Sequence, residues 1–145
     1  FAKLYKITGE EKYAEAIFTL NDRLLDLQDQ DVFRGRFYKS ELEHEGQEAP
    51  HSSSDAVYTE GLLHAFEIAV EVGDRERANA YRTAIELALS RLISMQYKRT
   101  ENGFDAQPSR YIRAIPIHES NPNIRVDTTH HALDAFEKYL ELFDE

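Results

Sequence analysis

Apolar residues recur at helical spacing in four stretches of the chain. Over residues 11–28, Tyr13, Ile17, Leu20, Leu24 and Leu27 fall three or four positions apart, with Glu11, Lys12, Glu15, Asp22, Arg23 and Asp26 elsewhere. One apolar stripe of this kind predicts a helix with an exposed polar face. Residues 74–98 repeat the design, setting Ala78, Tyr81, Ile85, Leu89, Leu92 and Met95 against Arg75, Arg77, Arg82, Glu86 and Arg91. Residues 55–72 differ, because Val57, Leu62, Leu63, Phe66, Ile68, Ala69, Val70 and Val72 leave little polar face. A helix that is apolar most of the way round is a buried one. Residues 127–143 read the same way, through Ala132, Leu133, Ala135, Phe136, Tyr139, Leu140 and Phe143. Amphipathic outer helices are therefore expected to alternate with buried inner ones, with residues 1–8 as the tail of a further inner helix.

Turn signals fit this alternation. Gly9 and Gly73 stand where a left-handed residue ends a helix, and the acids after them, Glu10, Glu11 and Asp74, favour the next helix start. Inner-to-outer turns are thus tight. Outer-to-inner connections are long, spanning residues 29–54 and 99–126, and each closes on a capping signal: Ser52 to Asp55 in one, Asp127 to Thr129 in the other. Loops beyond about 12–15 residues are uncommon in compact domains and are usually functional or disordered. Within the second, residues 110–118 are apolar enough for a short strand.

An internal repeat underlies the pattern. Thr59 to Glu67 aligns with Thr129 to Glu137 at an offset of 70, sharing Thr, Leu, Ala, Phe and Glu. Two fainter echoes pair Thr8-Gly9-Glu10 with Val72-Gly73-Asp74, and Leu27-Gln28 with Met95-Gln96. Their common order implies a helical-hairpin unit present twice, preceded by a half. Fold class follows: all-α, about two and a half hairpins, with two long outer-to-inner loops.

Composition adds constraints. The 145 residues suit one domain, 1–145, with enough chain for a sizeable core. A start at Phe1, inside a helical pattern, leads to the expectation that this is part of a longer chain. Net charge is −10, which disfavours nucleic acid as a partner, since phosphate binders cluster Lys and Arg. With no cysteine there is no disulfide, thiolate metal site or cysteine nucleophile. No apolar run reaches the roughly 18 residues of a membrane span and no signal peptide is visible, so the expectation is no membrane and a cytoplasmic location.

Several segments together resemble the α/α-toroid folds, above all the six-hairpin glycosidase-like group. They are the turn from Leu4 to Tyr13 with its Thr8-Gly9-Glu10 core, the run Ser53 to Leu63, and two glycine-aromatic elements, Gly35-Arg36-Phe37 and Asn102-Gly103-Phe104. A closed six-hairpin ring is more than twice as long, so the resemblance implies an incomplete toroid. It further implies a carbohydrate-active enzyme or a fragment of one: a hydrolase, lyase or epimerase using carboxylate and histidine acid–base chemistry without cofactor. The alternative is a non-catalytic helical module, binding a protein partner or purely structural. Tetratricopeptide arrays share the pair period but have short loops.

Candidate site residues gather where inner-helix N-termini meet the long loops. Asp55 and Asp127 are first-turn acids, which either cap their helices or form an acid–base pair. Glu60 and His130 occupy equivalent repeat positions, are candidate catalytic residues together with Asp55 and Asp127, and are expected to line a pocket with Tyr58. Adjacent His130 and His131 point about 100° apart and cannot chelate one metal as an i, i+4 pair does, so no metal site is assigned. Tyr38, Tyr58, Arg113, His118 and His131 are the candidate ligand-binding groups. Residues 98–125 carry five bases and three acids, a local surplus that suits an anionic sugar. The open arc also exposes apolar surface near Phe1, Leu4 and Phe136, from which a homo-oligomer, or packing against the rest of a longer chain, is expected.

Overall fold

The computed structural model describes residues 1–31, 34–37, 52–97, 113–118 and 121–143. Five helices run in chain order: α1 (Ala2–Thr8), α2 (Glu11–Leu27), α3 (Ser52–Glu71), α4 (Arg75–Met95) and α5 (Val126–Phe143). A two-stranded antiparallel hairpin, β1 (Pro116–His118) and β2 (Asn121–Ile124), leads into α5. The all-α class is as expected, and every long helix begins and ends within a few residues of its predicted limits.

Glycine and acid punctuation works as the sequence suggests. Gly9 closes α1 at φ 67°, its N–H donating to Tyr5 O at 2.7 Å. Gly73 (φ 78°) ends the α3 turn, and the Asp74 side chain caps α4 by accepting from the Arg77 N–H at 3.0 Å.

Helix α3 contacts all four other helices. Helices α1, α3 and α5 lie side by side in one layer, while α2 and α4 touch each other in a second. On α3, Ala56, Leu62, Leu63, Ala65, Ile68 and Ala69 are buried over most of the circumference, but Val57 and Val70, expected inside, are exposed. Ala78, Tyr81, Ile85, Leu89 and Leu92 of α4 form the expected stripe. Two further expectations need correcting. On α2 the buried face is Ala14, Ile17, Phe18 and Asn21, whereas Leu20 is 58% exposed. On α5 only Thr128, Ala132 and Ala135 are buried, and Leu133 and Leu140 stay more than half exposed. The physical reason is that α5 contacts only α3 extensively, so its far side has no neighbour among the described residues.

Ion pairs stitch each layer. Glu67 of α3 takes Lys6 of α1 at 2.6 Å and Lys138 of α5 at 3.5 Å, joining the three helices of the first layer through one carboxylate. Burial works upward on the Glu67 carboxyl, but these two ammonium groups outweigh it and hold the group below its ordinary value. In the second layer, Arg77 of α4 reaches Asp22 of α2 at 3.1 Å, and the Tyr81 hydroxyl donates to the same carboxylate. Burial first, then that acceptor, pushes the Tyr81 hydroxyl well above the usual phenol range.

The chain leaving α2 folds back on α4 in a tight clamp. Asp29 N–H donates to Arg36 O at 2.6 Å, and Gly35 N–H donates to Asp29 O at 2.9 Å. Gly35 sits at φ 92°, where a Cβ would lie 2.4 Å from the backbone oxygen of Leu87 on α4. Only glycine fits there. The chain leaving α4 repeats both bonds: Tyr97 N–H to Ala114 O at 3.0 Å, and Arg113 N–H to Tyr97 O at 2.8 Å. Arg113, at φ 72°, takes the place of Gly35, and buried Ile115 takes that of buried Phe37. The counterpart of the first glycine-aromatic element is therefore Arg113-Ala114-Ile115. Asn102-Gly103-Phe104 lies outside the described residues.

Candidate functional site

The start of α3 is held by a buried cluster. Asp55, 2% exposed, accepts from the Phe37 N–H at 3.1 Å and lies 3.6 Å from Nε of Arg91 on α4. Arg36 is buried beside Phe37 in the sequence, and the Phe37 ring meets Tyr58 edge-on at 5.7 Å. Ser52 donates to Pro116 O at 2.5 Å, tying the start of α3 to β1. Asp55 thus binds the first clamp to α3 and α4. The contacts it makes are those of a structural anchor.

Asp127, on the first turn of α5, is only partly buried by contrast. It accepts from Arg125 at 2.7 Å and from the Thr128 N–H at 3.0 Å. Desolvation works upward on its carboxyl, but the Arg125 hydrogen bond and the helix N–H groups prevail and hold it below its ordinary value. An acid held ionised in this way suits an electrostatic or acceptor role better than that of a proton donor.

Between these two helix starts lies a cavity of about 200 Å³ lined by Ser53, Ser54, Val57, Tyr58, Asp127 and His131. Drug-sized sites are about 300–1,000 Å³, so this one has room for a single small group. Its lining combines two hydroxymethyl groups, a phenol, a carboxylate and an imidazole around one valine.

One turn further along, α3 and α5 meet through Glu60 and His131. Imidazole Nδ1 lies 2.8 Å from Glu60 Oε1, both side chains being about one-third exposed. With its proton on Nδ1 the ring donates to the carboxylate, which leaves Nε2 as an acceptor. A carboxylate that orients an imidazole is the arrangement that general-base histidines use. Asp134, one turn beyond His131, completes a group of three whose ligand atoms all lie within 4.8 Å of one another. His130 points elsewhere: 64% exposed, it pairs with Asp134 at 3.4 Å.

Periodicity alone selected the wrong member of the histidine pair. The repeat set Glu60 opposite His130, but the residue that faces Glu60 is His131. Tyr58 and Asp127 do line the cavity, together with His131; Glu60 and His130 do not. Arg113 lies elsewhere, on a groove of about 650 Å³ between α4 and α5 lined by Glu86, Leu89, Ile93, Phe136, Tyr139 and Leu140 among others. Tyr38 and the side chain of His118 fall outside the described residues. Asp134 was the residue that sequence reasoning missed; its i+3 spacing from His131 and i+4 spacing from His130 were the available signal.

Among the described residues no helix is long and apolar enough to cross a membrane. Compared with known proteins, no family model matches the chain, and no curated protein and no solved structure matches it.

Proposed function

We propose that the chain is an incomplete α/α toroid whose first helix layer carries a carbohydrate-directed acid–base site, with Glu60 and His131 as the working pair. The observation that carries this reading is the 2.8 Å contact of His131 with Glu60, next to a small cavity that His131 also lines. Glu60 orients the imidazole, and the ring exchanges protons with a bound hydroxyl or carbon acid. Ser53, Ser54, Tyr58 and Asp127 supply the hydrogen-bonding groups that a polyhydroxylated ligand needs, and Arg125 beside Asp127 suits an anionic sugar such as a uronate. The reaction class that fits is hydrolysis, elimination or epimerisation.

The test is a binding and turnover screen of neutral and acidic monosaccharides and oligosaccharides, run in EDTA, on wild type, Glu60→Gln and His131→Ala. Both variants should lose at least about tenfold in affinity or turnover, or about 1.4 kcal/mol, with a melting temperature within a few degrees of wild type. A large fall in melting temperature with no ligand effect would make the pair a packing contact and end this reading.

A second reading rests on the α4–α5 groove, whose apolar lining fits a helix from a protein partner or a second copy. Light scattering on Ile93→Glu beside wild type separates the two: concentration-dependent association lost in the variant favours the binding module.

A further inference from the structure

We propose that Glu60, His131 and Asp134 form a binding site for one first-row divalent cation, with Zn²⁺ the best-suited probe. Two observations carry it. The first is geometric. Neighbouring ligands around a cation with bonds of about 2.0–2.2 Å sit roughly 3.0–3.5 Å apart for angles between a right angle and the tetrahedral one. The separation of His131 Nδ1 from Glu60 Oε1 is already 2.8 Å, and one ligand atom from each of Glu60, His131 and Asp134 lies within 4.8 Å of the other two.

The second observation concerns charge. Other carboxylates at helix contacts are neutralised by Lys or Arg: Asp22 by Arg77, Glu67 by Lys6 and Lys138, Asp127 by Arg125. Among the described residues, Glu60 and Asp134 form ion pairs only with His131 and His130. Glu60 and Asp134 thus lie beside one imidazole with no Lys or Arg ion-paired to either among the described residues, and a divalent cation would supply the missing positive charge. The donor set is one nitrogen and two oxygens. It suits zinc, manganese or iron(II) and disfavours magnesium and calcium, which prefer oxygen throughout. Three protein ligands leave at least one position open, as in sites that bind a further ligand rather than structural ones. His130, 3.4 Å from Asp134, orients that carboxylate from outside the triad.

The inference goes beyond the acid–base reading and does not rest on it, because a cation on Nδ1 replaces the proton that would be donated to Glu60. The experiment uses the full chain, stripped with EDTA and with no sugar present, titrated with Zn²⁺ by calorimetry. One ion per chain should bind in the micromolar range, with Mg²⁺ and Ca²⁺ silent at the same concentrations. His131→Ala, Glu60→Gln and Asp134→Asn should each weaken binding by at least about tenfold, while His64→Ala, a histidine outside the triad, stays at wild type. Co²⁺ should give visible absorption bands that vanish in His131→Ala. No Zn²⁺ uptake by the folded wild type, or uptake that survives all three substitutions, would overturn the proposal. Sugar binding in EDTA reports on the acid–base reading separately, so either can fail alone.

Discussion

Replacing Gly35 by alanine puts the clamp geometry to its sharpest test. A Cβ at position 35 would stand 2.4 Å from Leu87 O, 2.8 Å from Leu87 C and 3.2 Å from Ala88 N. All three are backbone atoms in the middle of α4, so no rotamer change relieves the overlap. A left-handed backbone costs a non-glycine residue about 1–2 kcal/mol, and overpacking against a rigid neighbour adds about 1–3 kcal/mol. Stiffening of the unfolded chain returns about 0.4–1 kcal/mol. The net expectation is a loss of about 1–5 kcal/mol, or very roughly 3–18 °C in melting temperature for a chain of this size. Arg113 supplies the control, because it holds the same place in the second clamp and already carries a Cβ. Arg113→Ala should therefore stay within about 1 kcal/mol of wild type. Urea titrations followed by circular dichroism measure both. Gly35→Ala within 1 kcal/mol of wild type would refute the clamp's seat on α4, and an equal loss at Arg113 would refute the equivalence of the two turns.

Other consequences follow from the ion pairs. Asp55→Asn keeps an acceptor for the Phe37 N–H but leaves Arg91 facing a neutral group in a buried setting; a loss of about 3–5 kcal/mol is expected, read from the denaturant midpoint, and a change below 1 kcal/mol would mean that the pair is solvated. Acid should destabilise the fold in two stages. Burial first, then Lys138, depresses the His64 imidazole below 6.5, so the unfolded chain takes up that proton first and stability falls as pH drops from about 6.5. The Glu67 carboxyl is also depressed, so its contribution is intact above about 4.5 and lost below that. Melting temperatures between pH 8 and 3 should show both steps, with the first absent in His64→Ala and the second reduced in Glu67→Gln, where Asp74 and Asp127, also held below their ordinary values, still contribute.

The helices were legible because their signals are local. Gly9, Gly73 and Asp74 cap by short-range geometry, and the α4 stripe has a single solution. On α2 two stripes compete at nearly the same spacing. The real one runs through Asn21 and ends on Gln28, polar residues that no hydropathy pattern would place inside. Gln28 is admitted because its Nε2 finds the Ala84 carbonyl of α4 at 2.8 Å, a partner 56 residues away. The choice between His130 and His131 failed for a related reason. They are neighbours in sequence, and which one faces Glu60 depends on the rotation of α5 against α3, a tertiary quantity. The second clamp was hidden differently: its left-handed residue is an arginine, so the glycine that announces such a turn is missing.

The two clamps close with the same pair of hydrogen bonds, yet the chain between their ends differs in length, from Asp29 to Gly35 in one and from Tyr97 to Arg113 in the other. By loop-closure entropy, a strap some two and a half times longer adds only about 0.8 kcal/mol. The scaffold thus behaves like a buckle that accepts straps of different length. Mutation can lengthen, shorten or rewrite the segment between the fixed ends while Gly35 and Arg113 keep their seats. The sequence of that segment is therefore free to change faster than the helices that carry it.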